Sequence, residues 1–334
     1  MKKSLFFLIL FAPSFLHAQS RPGFIGDDVW DETQSILSVN HSINESNATN
    51  LSFNNGLLLS TTSQDNNQYT TNVRYASKRV SNFFYRVGYT TSDIEGSGYS
   101  FGFSDVQLGL NYEIGQNTFA LDYGKNLSGD NYNDRLSVLY SYETGDLTAF
   151  TGVNVIRGLQ GSQERLNFHR VIGLRYDYRS EYSDKFFTFQ VSNDDQSTTS
   201  NRYVNGVARY LFKENKPYIV GIEGAFHKAL NGQRTESYNI GTIFAVGLGK
   251  GQVVFTPALN ITTAYDAPTY KVLGSDYVSY KIDYNLELKN DVFLNASIQL
   301  NDQSQEVRST QINSHTLTEI DNKIITVTLT KLLD

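Results

Sequence analysis

The chain has 334 residues, 40% hydrophobic and 13% aromatic, with 28 Lys and Arg against 34 Asp and Glu for a formal net charge of −6. An acidic balance with no concentrated basic run excludes the usual nucleic-acid-binding surface, and the absence of cysteine excludes structural disulfides, thiolate metal sites and a lipid-anchor cysteine. The 22 Tyr and 21 Phe nevertheless need an apolar setting in a chain whose residues are mostly polar.

Met1 to Gln19 reads as a secretory signal peptide: Lys2 and Lys3 supply the positive start, Leu5 to Phe11 the apolar core, and His17-Ala18-Gln19 a cleavage region. That core is too short to cross a membrane as a helix, and no later stretch approaches the roughly 20 apolar residues a crossing helix needs. Residues 20–50 are acidic, aromatic and without period, through Phe24, Asp27, Asp28, Trp30, Asp31 and Glu32. They are expected to form an N-terminal periplasmic arm or barrel-mouth segment. Trp30, the only tryptophan, is its candidate for docking a partner or plugging the mouth. Within this segment Ser35 to Ile43 allows a short strand, and Asn44 to Asn50 reads as a polar turn.

From Leu51 the chain settles into a period of two. The clearest case is Val106, Leu108, Leu110, Tyr112 and Ile114 alternating with Asp105, Gln107, Gly109, Asn111 and Glu113. After a Gly-Gln-Asn connection, Phe119, Leu121 and Tyr123 oppose Thr118, Ala120, Asp122 and Gly124. Strict alternation marks strands with one apolar and one polar face. Such strands are predicted at 51–61, 69–76, 83–91, 106–114, 118–124, 135–143, 147–156, 167–178, 186–193, 202–212, 217–227, 237–248, 252–263, 276–288, 292–300 and 320–330. Their connections sort into short turns, as at Gly115-Gln116 and Gly249-Lys250-Gly251, and longer polar loops, as at 126–134, 228–236 and 301–319. A soluble sandwich has no reason to sort loops by end. A transmembrane antiparallel up-and-down β-barrel does, with its apolar face on lipid and its polar face in a wet lumen. The fold is therefore read as all-β, a barrel of about 16 strands over residues 51–334, with 14 or 18 as alternatives. Tyr112, Phe119, Tyr142, Tyr178, Phe187, Phe212 and Tyr218 fall near the short-turn ends, where an aromatic girdle belongs.

This architecture resembles the porin-like outer-membrane β-barrel proteins of Gram-negative bacteria. The resemblance implies a cell outer-membrane location and insertion by the outer-membrane assembly machinery. It also implies contact with outer-membrane lipids and lipopolysaccharide, and a channel for small hydrophilic solutes or ions. The loop at 126–134 is shorter than the inward-folded constriction loop of such channels, and the chain lacks their terminal aromatic residue.

The predicted register turns Arg74, Arg86, Asp105, Glu113, Asp122, Glu143, Arg175, Arg209, Glu223, Lys281, Asp283 and Glu287 toward the lumen. Opposed banks of charge select ions and orient polar solutes in a pore; the same residues, fully paired, would fill a closed structural barrel. Both readings stand, as does an accessory conduit of exopolysaccharide secretion whose arm docks a periplasmic partner. No catalytic residue is expected, because His41, His169, His227 and His315 lie in no hydrolase motif. Neither a metal nor a cofactor is expected either, since no His-x₃-His spacing or acidic calcium loop occurs.

Overall fold

Strands alternating Leu, Tyr and Val with Asn, Gln and Ser leave backbone N–H and C=O groups along both edges, and in hydrocarbon every such group must be paired. The computed structural model satisfies them by closing one antiparallel sheet on itself. It describes residues 34–333 apart from 55–56, 128–132, 161–162, 197–198, 214–217, 232–235, 263–264, 267–269, 273–274, 290 and 310–313. The expected signal peptide and Trp30 lie outside the described residues.

In chain order the strands are β1 (Ser35–Asn54), β2 (Leu57–Ala76), β3 (Phe83–Gly96), β4 (Tyr99–Ile114), β5 (Asn117–Asn126) and β6 (Asn133–Thr144). There follow β7 (Leu147–Gln160), β8 (Gln163–Arg179), β9 (Ser183–Gln196), β10 (Thr199–Phe212), β11 (Tyr218–Ala229) and β12 (Glu236–Leu248). The series ends with β13 (Gly251–Thr262), β14 (Tyr265–Asp266), β15 (Tyr270–Val272), β16 (Ser275–Lys289), β17 (Val292–Ser309) and β18 (Ser314–Leu333). Sixteen of these build the closed wall. The two- and three-residue strands β14 and β15 pair with each other in the β13–β16 connection. The ring closes where β1 meets β18, from Ser35↔Leu333 to Asn54↔Ser314.

Side-chain exposure assigns the faces. Leu108, Leu110, Leu121, Val138, Ile172, Ile222, Ile240, Ile282 and Val327 are all exposed. The register joins them into rungs, such as Leu110↔Leu121↔Val138↔Val153. A continuous apolar belt around a whole sheet is a lipid-facing surface, far larger than the patches soluble proteins tolerate. At its short-turn edge aromatic rings pair, Phe83 with Tyr112 at 4.4 Å and Phe119 with Tyr140 at 5.2 Å between centroids. Lys185 extends its amino group over Tyr178 and Tyr210 at 5.4 and 5.9 Å, the behaviour of a cation snorkelling at an interface. The turns at this end place Gly115, Gly145 and Gly249 at φ of 59°, 58° and 62°, the left-handed first position of tight hairpins.

The wall is uneven. β1, β2 and β18 run 20 residues and β17 runs 18, whereas β5 has 10 and β6 and β11 have 12. This overturns two boundaries expected from the sequence. Residues 35–50, assigned to the arm, are wall, and the strand predicted at 51–61 straddles the β1–β2 turn. The polar stretches 63–68 and 301–309 continue as strand. The cause is height: above the apolar belt both faces meet water, so alternation vanishes while backbone pairing continues.

Candidate functional site

The inner wall carries the polar chemistry, and its pattern begins with glycine. Across β2 to β6 one inward row reads Arg74↔Gly88↔Gln107↔Gly124↔Arg135, and the row beside it reads Arg86↔Gly109↔Asp122↔Ser137. Long polar side chains thus face residues with none. A Cβ at Gly109 would collide with the Asp122 carboxylate and come within 3.0 Å of Arg86 Nε, and one at Gly124 would lie 2.7 Å from Arg135 Nε. The glycines form shallow channels in which guanidinium groups lie flat.

Two ion pairs occupy these channels, each spanning three strands. Arg86 Nη2 crosses Gly109 and donates to Asp122 Oδ1 at 2.8 Å. Arg135 Nη2 crosses Gly124 and donates to Asp105 Oδ2 at 2.7 Å, an oxygen that also accepts from Gln107 Nε2 at 2.9 Å. Arg74 Nε donates to Asn72 Oδ1 at 3.1 Å. Side-chain exposures of 29% and 45% for Arg86 and Asp122 put that pair in the wetted class, worth about 0–1 kcal/mol. Such pairs place charge rather than hold the barrel together.

A second cluster lies toward the short turns of β8 to β11. Arg175 Nη2 donates to Asp177 Oδ2 at 2.6 Å, and Arg179 Nε donates to Asp177 Oδ1 at 3.2 Å. Arg175 and Arg209 both lie against the Phe186 ring, at 5.3 and 5.9 Å from its centroid. Arg209 stands opposite Glu223 in register, and Lys213 pairs with Asp184 at 2.7 Å. Lys281 pairs with Asp283 at 3.0 Å on the separate strand β16. Arg79, in the β2–β3 connection, pairs with Glu113. Glu143 and Glu287 stand at the short-turn rim, where their backbone N–H groups donate to the carbonyls of Gln116 and Lys250. The twelve charges singled out from the sequence therefore divide into a β3–β6 group, a β8–β11 group and scattered members.

Arg135, Arg179, Lys213 and Asp184 were missed. Arg135 carried a readable signal, its inward parity beside the glycine of the preceding strand. Also unforeseen is an apolar inner patch: Leu211, Ile219, Ile243, Ala245 and Val254, on β10 to β13, cluster at 1–8% exposure. Leu211 crosses Gly221 toward Ile243, and a Cβ at Gly221 would approach Leu211 Cδ2 to 2.5 Å. The sequence sign is Ile243-Phe244-Ala245-Val246, apolar on both faces, which marks a strand packed on both sides.

The histidines have structural surroundings. His227 Nδ1 donates to Asn205 Oδ1, and its ring stacks on Tyr203 at 5.1 Å. His315 stacks on Phe53 at 4.6 Å, and His41 Nδ1 meets Thr71 Oγ1 at 3.0 Å. Among the described residues no three His, Asp or Glu side chains converge as a metal site.

No protein-family model matches the chain, and no curated protein matches its sequence. Among solved structures it is similar to Pseudomonas aeruginosa OpdQ, at 11% identity over 91% of this chain and 100% of that one, with a TM-score of 0.47. It is similar to Pseudomonas aeruginosa OccK5 (OpdH), at 11% identity over 89% and 98%, with a TM-score of 0.49. A bacterial polysaccharide outer membrane secretin also resembles it, at 11% identity over 88% and 98%, with a TM-score of 0.49. These likenesses fall below the level that assigns a family, and the closed ring stands on its own strand pairing.

Proposed function

We propose that the protein is an outer-membrane channel through which small hydrophilic solutes or ions diffuse. The observation that carries this reading is the flat lie of Arg86–Asp122 and Arg135–Asp105 along the wall, recessed over Gly109 and Gly124. Side chains recessed in this way line a bore without bridging it, and a ring of 16 to 18 strands is wide enough to leave an aqueous channel. Both signs of charge border the passage, which suits polar solutes and gives modest ion selectivity. The role needs no catalytic group, metal or cofactor. Insertion by the assembly machinery and contact with lipopolysaccharide accompany this location.

The buried patch at Leu211, Ile243 and Val254 favours a second reading, a secretion conduit closed near the short-turn end until a periplasmic partner docks, with Trp30 in the docking arm. Single-channel conductance of the refolded protein in a planar bilayer separates the two. A diffusion channel gives steady steps whose cation-to-anion preference falls in Asp105→Asn and Asp122→Asn. Conductance that appears only after residues 20–33 are deleted supports the conduit. Silence in both, with the barrel demonstrably inserted, rejects both and leaves a filled structural barrel.

A further inference from the structure

Above the lipid-facing belt the outward residues turn charged. On β17, β18 and β1 to β3 the outward residues include Asp302, Asp321, Glu45, Asp65 and Asp93, together with Arg308 and with Lys323, which pairs with Glu45 at 3.3 Å. On β5, β7, β8, β10 and β11 the corresponding residues are Lys125, Arg157, Arg170, Arg202 and Lys228, accompanied by Asp134 on β6 and by Glu236 on β12, which pairs with Lys228 at 2.6 Å.

Arg170 and Arg202 stand out by position. Arg170 pairs in register with Asn193, and Asn193 with Arg202, so all three occupy one outward rung of β8, β9 and β10. The two arginine backbones are about 10 Å apart across the intervening strand, a gap that two long side chains close on a single tetrahedral anion. The rung beneath carries Ile172 and Val191. A depression of about 680 Å³ in the outer surface takes in both arginines, Asn193 and these two aliphatic side chains. A cation is disfavoured against acyl chains and tolerated at headgroup depth, and guanidinium matches phosphate oxygens in a two-pronged contact.

We propose that Arg170 and Arg202 grip the phosphate of an anionic lipid of the surrounding leaflet, whose acyl chains run down over Ile172 and Val191. The site faces outward, so it is separate from the bore and independent of what crosses it. The occupant is a lipid because the anion cradle and its apolar floor are continuous, a combination free phosphate would not use.

The test is native mass spectrometry of the full-length barrel released from phosphatidylcholine vesicles containing a minority of dioleoyl phosphatidic acid. The wild-type protein should keep a phosphatidic acid molecule, and Arg170→Gln/Arg202→Gln should keep about tenfold less or lower, as loss of two charge-assisted contacts requires. Arg170→Lys/Arg202→Lys should retain an intermediate amount, and Glu45→Gln/Asp65→Asn the wild-type amount. Heat-modifiable gel migration confirms that each barrel is closed, and the single Arg202→Gln variant serves if the double one does not fold. Equal retention by the double glutamine variant, or equal capture of phosphatidylcholine, overturns the proposal. Displacement of the lipid by inorganic phosphate overturns it too, in favour of a free-anion site.

Discussion

The strand β4 offers a ruler for the membrane. Its outward side chains, counted from the short turn, are Ile114, Tyr112, Leu110, Leu108, Val106 and Ser104. Successive outward positions are about 6.8 Å apart along a strand, or about 5 Å along the bilayer normal at a tilt near 40°. With Tyr112 in the girdle and an apolar band about 25 Å tall, Leu108 and Val106 bracket the midplane, about 10 and 15 Å above Tyr112. Arginine at each position in turn should therefore trace a peak. Leu108→Arg and Val106→Arg should each cost about 2–4 kcal/mol, Leu110→Arg and Ser104→Arg less, and Tyr112→Arg about 0–1 kcal/mol. Gln107→Arg, one residue away on the inner face, should stay within about 0.5 kcal/mol. Equilibrium guanidinium unfolding from lipid vesicles, followed by circular dichroism and gel migration, reads these differences. A flat profile, or a cost for Gln107→Arg equal to that of Leu108→Arg, would refute the assignment of inside and outside.

Gly109→Ala should lift Arg86 and Asp122 off the wall into the bore. Unfolding free energy should change by no more than about 1 kcal/mol, because the pair is weak, while unitary conductance falls and ion preference shifts; unchanged conductance would mean that this pair does not border the passage. Leu211→Ala should cost about 2–5 kcal/mol, as for a packed interior leucine. A cost near zero in the same unfolding assay would mean that the inner patch is wetted.

The facing stretches 106–114 of β4 and 118–124 of β5 were legible because they lie within the belt, where lipid on one side and water on the other impose alternation. The upper halves of β1 and β2 were not. Asn44 to Asn54 and Ser60 to Gln68 meet water on both faces, so nothing in their order distinguishes strand from loop. The count of 16 survived because one misplaced strand at 51–61 stood in for the part of the wall that went unrecognised. Inward charges could be read from parity alone, but their partners could not. Asp105 finds Arg135 two strands away through Gly124, and only the register of β4, β5 and β6 brings the three together. The Leu211 patch was masked by a different assumption, that an inward face must be polar. The doubly apolar run at Ile243 to Val246 was visible, but it was read only as part of the strand at 237–248.

The tall seam between β1 and β18 bears on how the ring assembles and how it fails. Asn40 donates to Thr328 across that seam, 288 residues apart in sequence. Closing so long a loop costs only about 2–3 kcal/mol more than closing one of about 20 residues, since the penalty grows with the logarithm of length. Neighbouring hairpins can zip early, and the two ends of the chain meet last. Once met, they are joined along all 20 residues of β1, whereas β5 and β6 are paired only from Asn117↔Tyr142 to Gly124↔Arg135. The junction made latest is thus the one released last, and a barrel pulled apart by heat or force should part in its low wall rather than where its two ends were sewn together.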